Sequence, residues 1–207
     1  MGSEEKDIFL YDARVRHRYP LIAGIDEAGR GPLAGPVVAS AVILPPDIVI
    51  KDLRDSKQTT EGLRRRLFWD IVSVAIDIGV GIVDADTIDR VNILNATRLA
   101  MERAVDDLRV RPDILLIDAI SLPSLKIEQR SIVKGERVSA SIASASIVAK
   151  VLRDEIMMEY HDRYPVYNFK SHKGYSTQEH VRLLQLHGPC PIHRRSFRKV
   201  MELSLLS

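Results

Sequence analysis

At 207 residues, with 45% hydrophobic and 28% charged content, the chain is long enough for one full core and ordinary for a globular enzyme, which excludes fibrous and intrinsically disordered classes. No apolar run approaches the length of a membrane span, and a single cysteine, Cys190, excludes an intrachain disulfide. Net charge is only +2, yet seven basic residues between Lys170 and Lys199 stand against one acid, Glu179, so the remainder of the chain is net acidic.

The charged start, Met1-Gly-Ser-Glu-Glu-Lys-Asp, lacks the apolar core of a signal peptide, and with one cysteine it leads us to expect a cytoplasmic protein. Residues 1–20 are polar and are expected to be a loosely held N-terminal extension, although Tyr11 and Tyr19 can pack. Leu21 to Asp26 then reads as a buried strand that ends in two adjacent carboxylates, Asp26 and Glu27, followed by Gly29-Arg30-Gly31-Pro32. Carboxylates at the end of a buried strand need a cation or a basic partner. The glycines allow a backbone to approach a ligand closely, and Arg30 between them is a planar donor suited to phosphate. Neighbours on a regular strand point to opposite faces, so the two acids serve one site only if the strand ends or twists between them. A surface turn with two solvated acids is the alternative.

Pro36 to Leu44 is β-branched and apolar, a second strand stopped by Pro45-Pro46, and so short a connection favours an antiparallel pair. After a polar loop containing Asp55-Ser56-Lys57, Thr60 is set to cap a helix whose apolar residues run from Leu63 to Ile76, with Arg64, Arg65 and Arg66 on its outer, solvated face. Gly79 to Val83 is a third strand. Asp84 or Asp86 opens one helical region that runs through Asn92 to Leu108. Asp113 to Asp118 is a fourth strand, again ending in a carboxylate, where α/β sheets place ligands. Ser131 to Glu136 is a fifth, shorter segment; Ser141 to Tyr164 is a long helix that begins with small residues; Thr177 to His187 is a capped helix. The pattern predicts an α/β fold, a mixed five-stranded sheet flanked by helices, with a core over 21–165 and a basic helical segment over 166–207 packed on it.

Asp26, Glu27, Asp118 and Glu136 each follow an apolar segment. If those segments are neighbours, the four acids converge on one sheet edge as hard oxygen donors, suited to Mg²⁺ or Mn²⁺ and to two-ion phosphate chemistry. Taken singly, any one of them could equally be a cap or an ion-pair partner. His180, His187, Cys190 and His193 lack the paired short-loop spacing of a zinc site. In Lys173-Gly174-Tyr175-Ser176 the ring suits stacking on a sugar or base, or packing at a helix start.

From Leu21 to Phe197 the chain resembles ribonuclease HII, the type 2 ribonuclease H of bacteria and archaea. The matching blocks are Asp26-Glu-Ala-Gly-Arg-Gly-Pro32, Asp55-Ser-Lys57, Asn92-Ile-Leu-Asn-Ala-Thr97, Leu116-Ile-Asp118, Val133-Lys-Gly135, Ala145-Ser-Ile-Val-Ala-Lys150 with Arg153-Asp154, His172-Lys-Gly-Tyr175 and His193-Arg-Arg-Ser-Phe197. The resemblance implies a ribonuclease H-like fold and an endonuclease, dependent on Mg²⁺ or Mn²⁺, that cuts the RNA strand of RNA–DNA hybrids. It also implies nicking of duplex DNA 5′ of an embedded ribonucleotide, leaving 3′-hydroxyl and 5′-phosphate ends. It further implies that Asp26, Glu27 and Asp118 are catalytic metal ligands, that the Gly29-Arg30-Gly31 backbone reads the ribonucleotide 2′-hydroxyl, and that Tyr175 stacks at the RNA-to-DNA junction. Lys57, Asn92, Lys150 and Lys173 are implied phosphate contacts. The family usually follows Lys-Gly with Asp; this chain has Glu136, which keeps the charge and is expected to serve as the fourth carboxylate. A monomer is expected. The rival readings are another metal nuclease of the same fold, indifferent to the 2′-hydroxyl, and a non-catalytic nucleic-acid binder.

Overall fold

The computed structural model describes residues 3–53 and 59–204. The chain opens with helix α1 (Ser3–Arg16), followed by strands β1 (Ile22–Ala28) and β2 (Val37–Ile43), helix α2 (Glu61–Val74) and strand β3 (Asp77–Val83). Helices α3 (Ala85–Val91) and α4 (Ile93–Asp106) lead to strands β4 (Ile114–Asp118) and β5 (Glu128–Ile132). A 3₁₀ turn (Gly135–Arg137) precedes the long helix α5 (Ala140–Arg163), and the short helices α6 (Phe169–His172), α7 (Gln178–His187) and α8 (Arg198–Ser204) follow. Among the described residues, no helix is long and apolar enough to cross a membrane.

The five strands form one mixed sheet in the order β3-β2-β1-β4-β5. β1 pairs antiparallel with β2 and parallel with β4; β3 is antiparallel to β2, and β5 parallel to β4. Alternation splits the core between two helical layers. Ala23, Ile25, Leu115 and Ile117 pack with Ala100, Met101 and Ala104 of α4. Ile22, Ile114 and Leu116 pack with Ile142 of α5 on the opposite face. The seating of α5 depends on Gly24, where a Cβ would lie only 2.0 Å from the Ser141 carbonyl carbon. With small residues leading the helix, its first turns rest directly on the central strand.

Four local expectations are corrected. The N-terminal segment is a docked helix: Ile8 and Val15 are buried, and the buried Asp12 carboxylate accepts bonds from Ser139 Oγ (2.6 Å), Ser141 N (2.8 Å) and Ser141 Oγ (2.7 Å). α1 thereby supplies an acid to the N-terminus of α5, where unpaired N–H groups need acceptors. The single helix expected from Asp84 to Leu108 is broken at Asn92, which adopts a positive φ of 67° and caps α4 by accepting from Asn95 N at 3.0 Å. The fifth strand lies upstream of its predicted place, at Glu128–Ile132. It is a polar edge strand, which needs little apolar character, so the apolar signal at Ile132-Val133 marks only its end. Finally, Arg64 does not lie on a solvated face: it ion-pairs with Asp154 at 3.6 Å and donates to Thr59 O at 2.9 Å. Arg65 and Arg66 do face outward, beside Glu155 and Asp52.

Candidate active site

The last β1–β4 pair is Ile25 with Ile117, so Asp26 and Asp118 follow it side by side, Asp118 as the last residue of β4. Of the two ways for the acids to share a site, an end to the strand between them is not the one seen: β1 runs on to Ala28 against β2. Both acids nonetheless line one cleft of about 470 Å³, because it opens where β1 continues past the end of its parallel neighbour. Asp26, Glu27 and Asp118 form its acidic floor. Gly29 to Gly31, Arg64, Lys150 and Tyr175 form its walls, with Ser146 of α5 beside them.

The acids are held separately. Asp26 Oδ1 accepts the Glu27 N–H at 2.7 Å, Asp118 Oδ1 accepts the Gly135 N–H at 2.7 Å, and Glu27 pairs with Arg30 at 3.3 Å. Burial, then the charges of Glu27 and Asp118, hold the Asp26 carboxyl well above the usual carboxylate range; the Glu27 N–H and Ser146 offset this in part. Among the described residues, no three His, Cys, Asp or Glu side chains are drawn into a closed metal cage.

On the basic wall, Lys150 pairs with Asp154 at 2.6 Å, and its Nζ lies 5.5 Å from the centre of the Tyr175 ring. Tyr175 is 40% exposed, presenting its ring to the cleft. The backbone beneath that ring is held by a chain of imidazoles. Cys190 N–H donates to His193 Nδ1 at 3.0 Å, which leaves the proton of His193 on Nε2. His193 Nε2 then donates to His180 Nε2 at 3.0 Å, and His180 Nδ1 donates to the Tyr175 carbonyl at 2.9 Å. Burial, followed for His193 by the neighbouring His180, pushes His180 down to about 4 and His193 to about 3, so both rings are neutral near pH 7.

The other predicted residues are placed differently. Glu136 is buried in the 3₁₀ turn, one residue past the Gly135 N–H that holds Asp118, and does not line the cleft. Asn92 is exposed and committed to capping α4, away from the cleft. Lys173 also lies outside the cleft wall; its Nζ donates to the Lys170 carbonyl at 2.7 Å. Lys57 falls outside the described residues. Sequence reasoning missed Arg64 and Ser146, which line the cleft, and the buried Arg153 and Arg194 behind it. Helical spacing is the one sign that could have singled out Arg153, which stands four residues after the buried Ala149 and four before the buried Met157 of α5.

The family model for Ribonuclease HII matches residues 23–200. A Ribonuclease HII of Acetivibrio thermocellus is 56% identical over 194 residues, 93% of this chain and 76% of the relative. The solved ribonuclease H2 of Pyrococcus horikoshii OT3 superposes with a TM-score of 0.75 at 26% identity, over 90% of this chain and 98% of the other. Bst-RNase HIII, solved in complex with Mn²⁺, shares the fold at a TM-score of 0.68 and 18% identity, over 90% of this chain and 70% of the other.

Proposed function

This chain belongs to the ribonuclease HII family, endonucleases that cleave the RNA of RNA–DNA hybrids and excise ribonucleotides embedded in DNA, and we propose that it does so with divalent cations held by Asp26, Glu27 and Asp118. The observation that carries this reading is the meeting of these three acids, from two adjacent parallel strands, on the floor of a cleft walled by Arg30, Arg64 and Lys150. The donor set fits a hard cation. All three are carboxylates, and the proton affinity of Asp26, raised by burial first and then by the charges of Glu27 and Asp118, marks buried negative charge that a cation would neutralise. Mg²⁺ and Mn²⁺ both suit such oxygen donors. Once bound, such ions would activate the attacking water and stabilise the leaving oxygen, giving 3′-hydroxyl and 5′-phosphate ends.

The remaining residues bind and select. Lys150 and Arg30 hold the phosphates that flank the cut, and Arg64 supports Asp154 behind Lys150. The Gly29-Arg30-Gly31 backbone reads the 2′-hydroxyl. A Cβ on Gly31 would meet nothing within 4 Å, so its edge is open to substrate. The exposed Tyr175 ring stacks on the sugar or base beside the ribonucleotide. Glu136 completes the acidic set as the fourth carboxylate, with Lys57, Asn92 and Lys173 as phosphate contacts outside the central cleft. Duplex DNA carrying ribonucleotides, or an RNA–DNA hybrid, is the substrate, so the enzyme works in the cytoplasm; we take it to act as a monomer, which light scattering would test.

The deciding assay is cleavage of a labelled duplex with one ribonucleotide, beside an all-DNA duplex, in Mg²⁺, Mn²⁺ or chelator. The expected result is a metal-dependent nick immediately 5′ of the ribonucleotide and none in the control. Equal cutting of both duplexes would remove the sugar reading. A Glu136→Ala variant as fast as wild type with both metals would remove the fourth carboxylate.

A further inference from the structure

Two arginines, Arg153 of α5 and Arg194 of the C-terminal segment, are fully buried behind the Gly29–Gly31 turn. Burying a guanidinium costs several kcal/mol unless its donors are satisfied, so such a pair calls for an explanation. Among the described residues, neither forms an ion pair with a carboxylate. Their donors go to six backbone carbonyls instead. Arg194 donates to Gly29 O (2.6 Å), Arg30 O (3.0 Å) and Gly35 O (2.9 Å). Arg153 donates to Ala34 O (3.2 Å), Pro36 O (3.1 Å) and Lys173 O (3.1 Å).

Five of these carbonyls belong to the single turn from Gly29 to Pro36, and the sixth precedes Gly174-Tyr175 on the facing loop. The same two loops are joined by Leu33 N–H to Gly174 O at 2.8 Å, and the Arg194 N–H ties the C-terminal segment to Leu33 O at 2.9 Å. Gly29 has a φ of 99°, and a Cβ there would lie 2.2 Å from Arg153 Nε, so the guanidinium packs directly under the turn. The Arg194 guanidinium is backed by the Phe197 ring, 5.1 Å away. Burial and the charge of Arg153 push Arg194 down to about 9, which still leaves it protonated at neutral pH.

We propose that Arg194 and Arg153 are positioning residues for sugar discrimination: their planar forks fix the carbonyls of Gly29 to Pro36, and so hold the turn's edge at the distance that accepts a ribonucleotide 2′-hydroxyl. The inference rests on the proposed reading of that hydroxyl by Gly29 to Gly31. A guanidinium presents several donors in one fixed plane, whereas an ammonium cannot reach three separated carbonyls at once. Arg194→Lys therefore keeps the charge and removes the template. Arg194 holds the backbone of Arg30 and not its side chain, which pairs with Glu27, and neither arginine bonds Lys150, so the larger effect falls on the choice of sugar and the smaller on affinity for duplex in general.

The test is equilibrium binding of two duplexes of identical sequence, one with a single ribonucleotide and one all-DNA, to the full chain in chelator. Wild type, Arg194→Lys, Arg153→Lys and Gly31→Ala are compared, with thermal unfolding of each as a check on folding. Arg194→Lys is expected to lower the preference for the ribonucleotide duplex by about fivefold, the worth of one hydrogen bond, while leaving all-DNA affinity within about twofold. Arg153→Lys should act in the same direction, and supplies the result if Arg194→Lys does not fold. Gly31→Ala, which places a methyl on the open edge, should lower the preference without loosening the protein. If Gly31→Ala lowers the preference and both lysine variants keep it, the sugar reading stands and the role of the arginines is overturned. If none of the variants changes it, the sugar reading itself falls and takes the inference with it. An equal loss on both duplexes in the lysine variants would mark general damage and also overturn the proposal.

Discussion

Asp26 carries the conflict of the site in one residue. It is buried, next to Glu27 and Asp118, and burial with those two charges raises its proton affinity strongly. Replacing it with Asn keeps the acceptor for the Glu27 N–H while removing the charge. In chelator we expect Asp26→Asn to melt higher than wild type by on the order of 2–4 °C, the shift that about 1 kcal/mol produces in a chain of this size. In Mg²⁺ or Mn²⁺ the same variant should lose roughly 10²–10³ in kcat, as removal of one electrostatic contact commonly does. Calorimetry in chelator and single-turnover cleavage decide both halves; an apo melting point below that of wild type would show that repulsion is not the main strain at this position. Asp26 was legible in the sequence because it ends an apolar run. Arg194 was not: it reads as one more member of a basic tail, and only contacts with Gly29, Arg30 and Gly35 give it a role.

Among the elements, the loop carrying Tyr175 depends on its imidazole chain remaining neutral. Burial is the largest influence keeping both rings neutral; His172 acts with it on both, His180 and Arg195 act with it on His193, and Glu179 acts against it on His180. Both folded pKa values lie below the 6.5 of a free histidine, so the unfolded chain binds more protons as pH falls below that value. Stability conferred by the neutral rings is full above about pH 6.5 and declines towards pH 4, by about 1.4 kcal/mol per pH unit for each ring. Denaturant titrations at pH 7.5, 6.5 and 5.5 should show that decline, and a His193→Gln variant should show less of it. An identical slope in the variant would refute the assignment. The other corrected elements share one cause. The helix over residues 3–16 scatters its apolar residues among charged ones, and it docks through Ile8 and Val15 together with a buried Asp12 reaching serines more than 120 positions away. The edge strand β5 is polar because its ladder with β4 places it.

For the molecule as a whole, an acidic floor between basic walls implies binding dominated by phosphate neutralisation. Each phosphate neutralised adds about 0.9 to the slope of log affinity against log salt on duplex DNA. Lys150→Gln should therefore reduce that slope by about 0.9 and weaken ribonucleotide-containing and all-DNA duplexes alike. A slope equal to wild type would place Lys150 outside the phosphate path, leaving it only its contacts with Asp154 and Tyr175.

The sequence by itself determined the order of the five strands, the helices after Thr60, Ser139 and Thr177, and the acids Asp26, Glu27 and Asp118, because each is written within a few residues: an apolar run, a turn, a terminal carboxylate. Only the tertiary structure decided which of the predicted residues share the cleft. The register of β1 with β4 joins Asp26 to Asp118, the break at Asn92 turns that residue to capping, and the 3₁₀ turn holds Glu136 behind Asp118. The assignment of Arg153, Arg194, His180 and His193 to the loops that face substrate also arises there, since most of their bonds join residues far apart in the sequence, which no local pattern encodes.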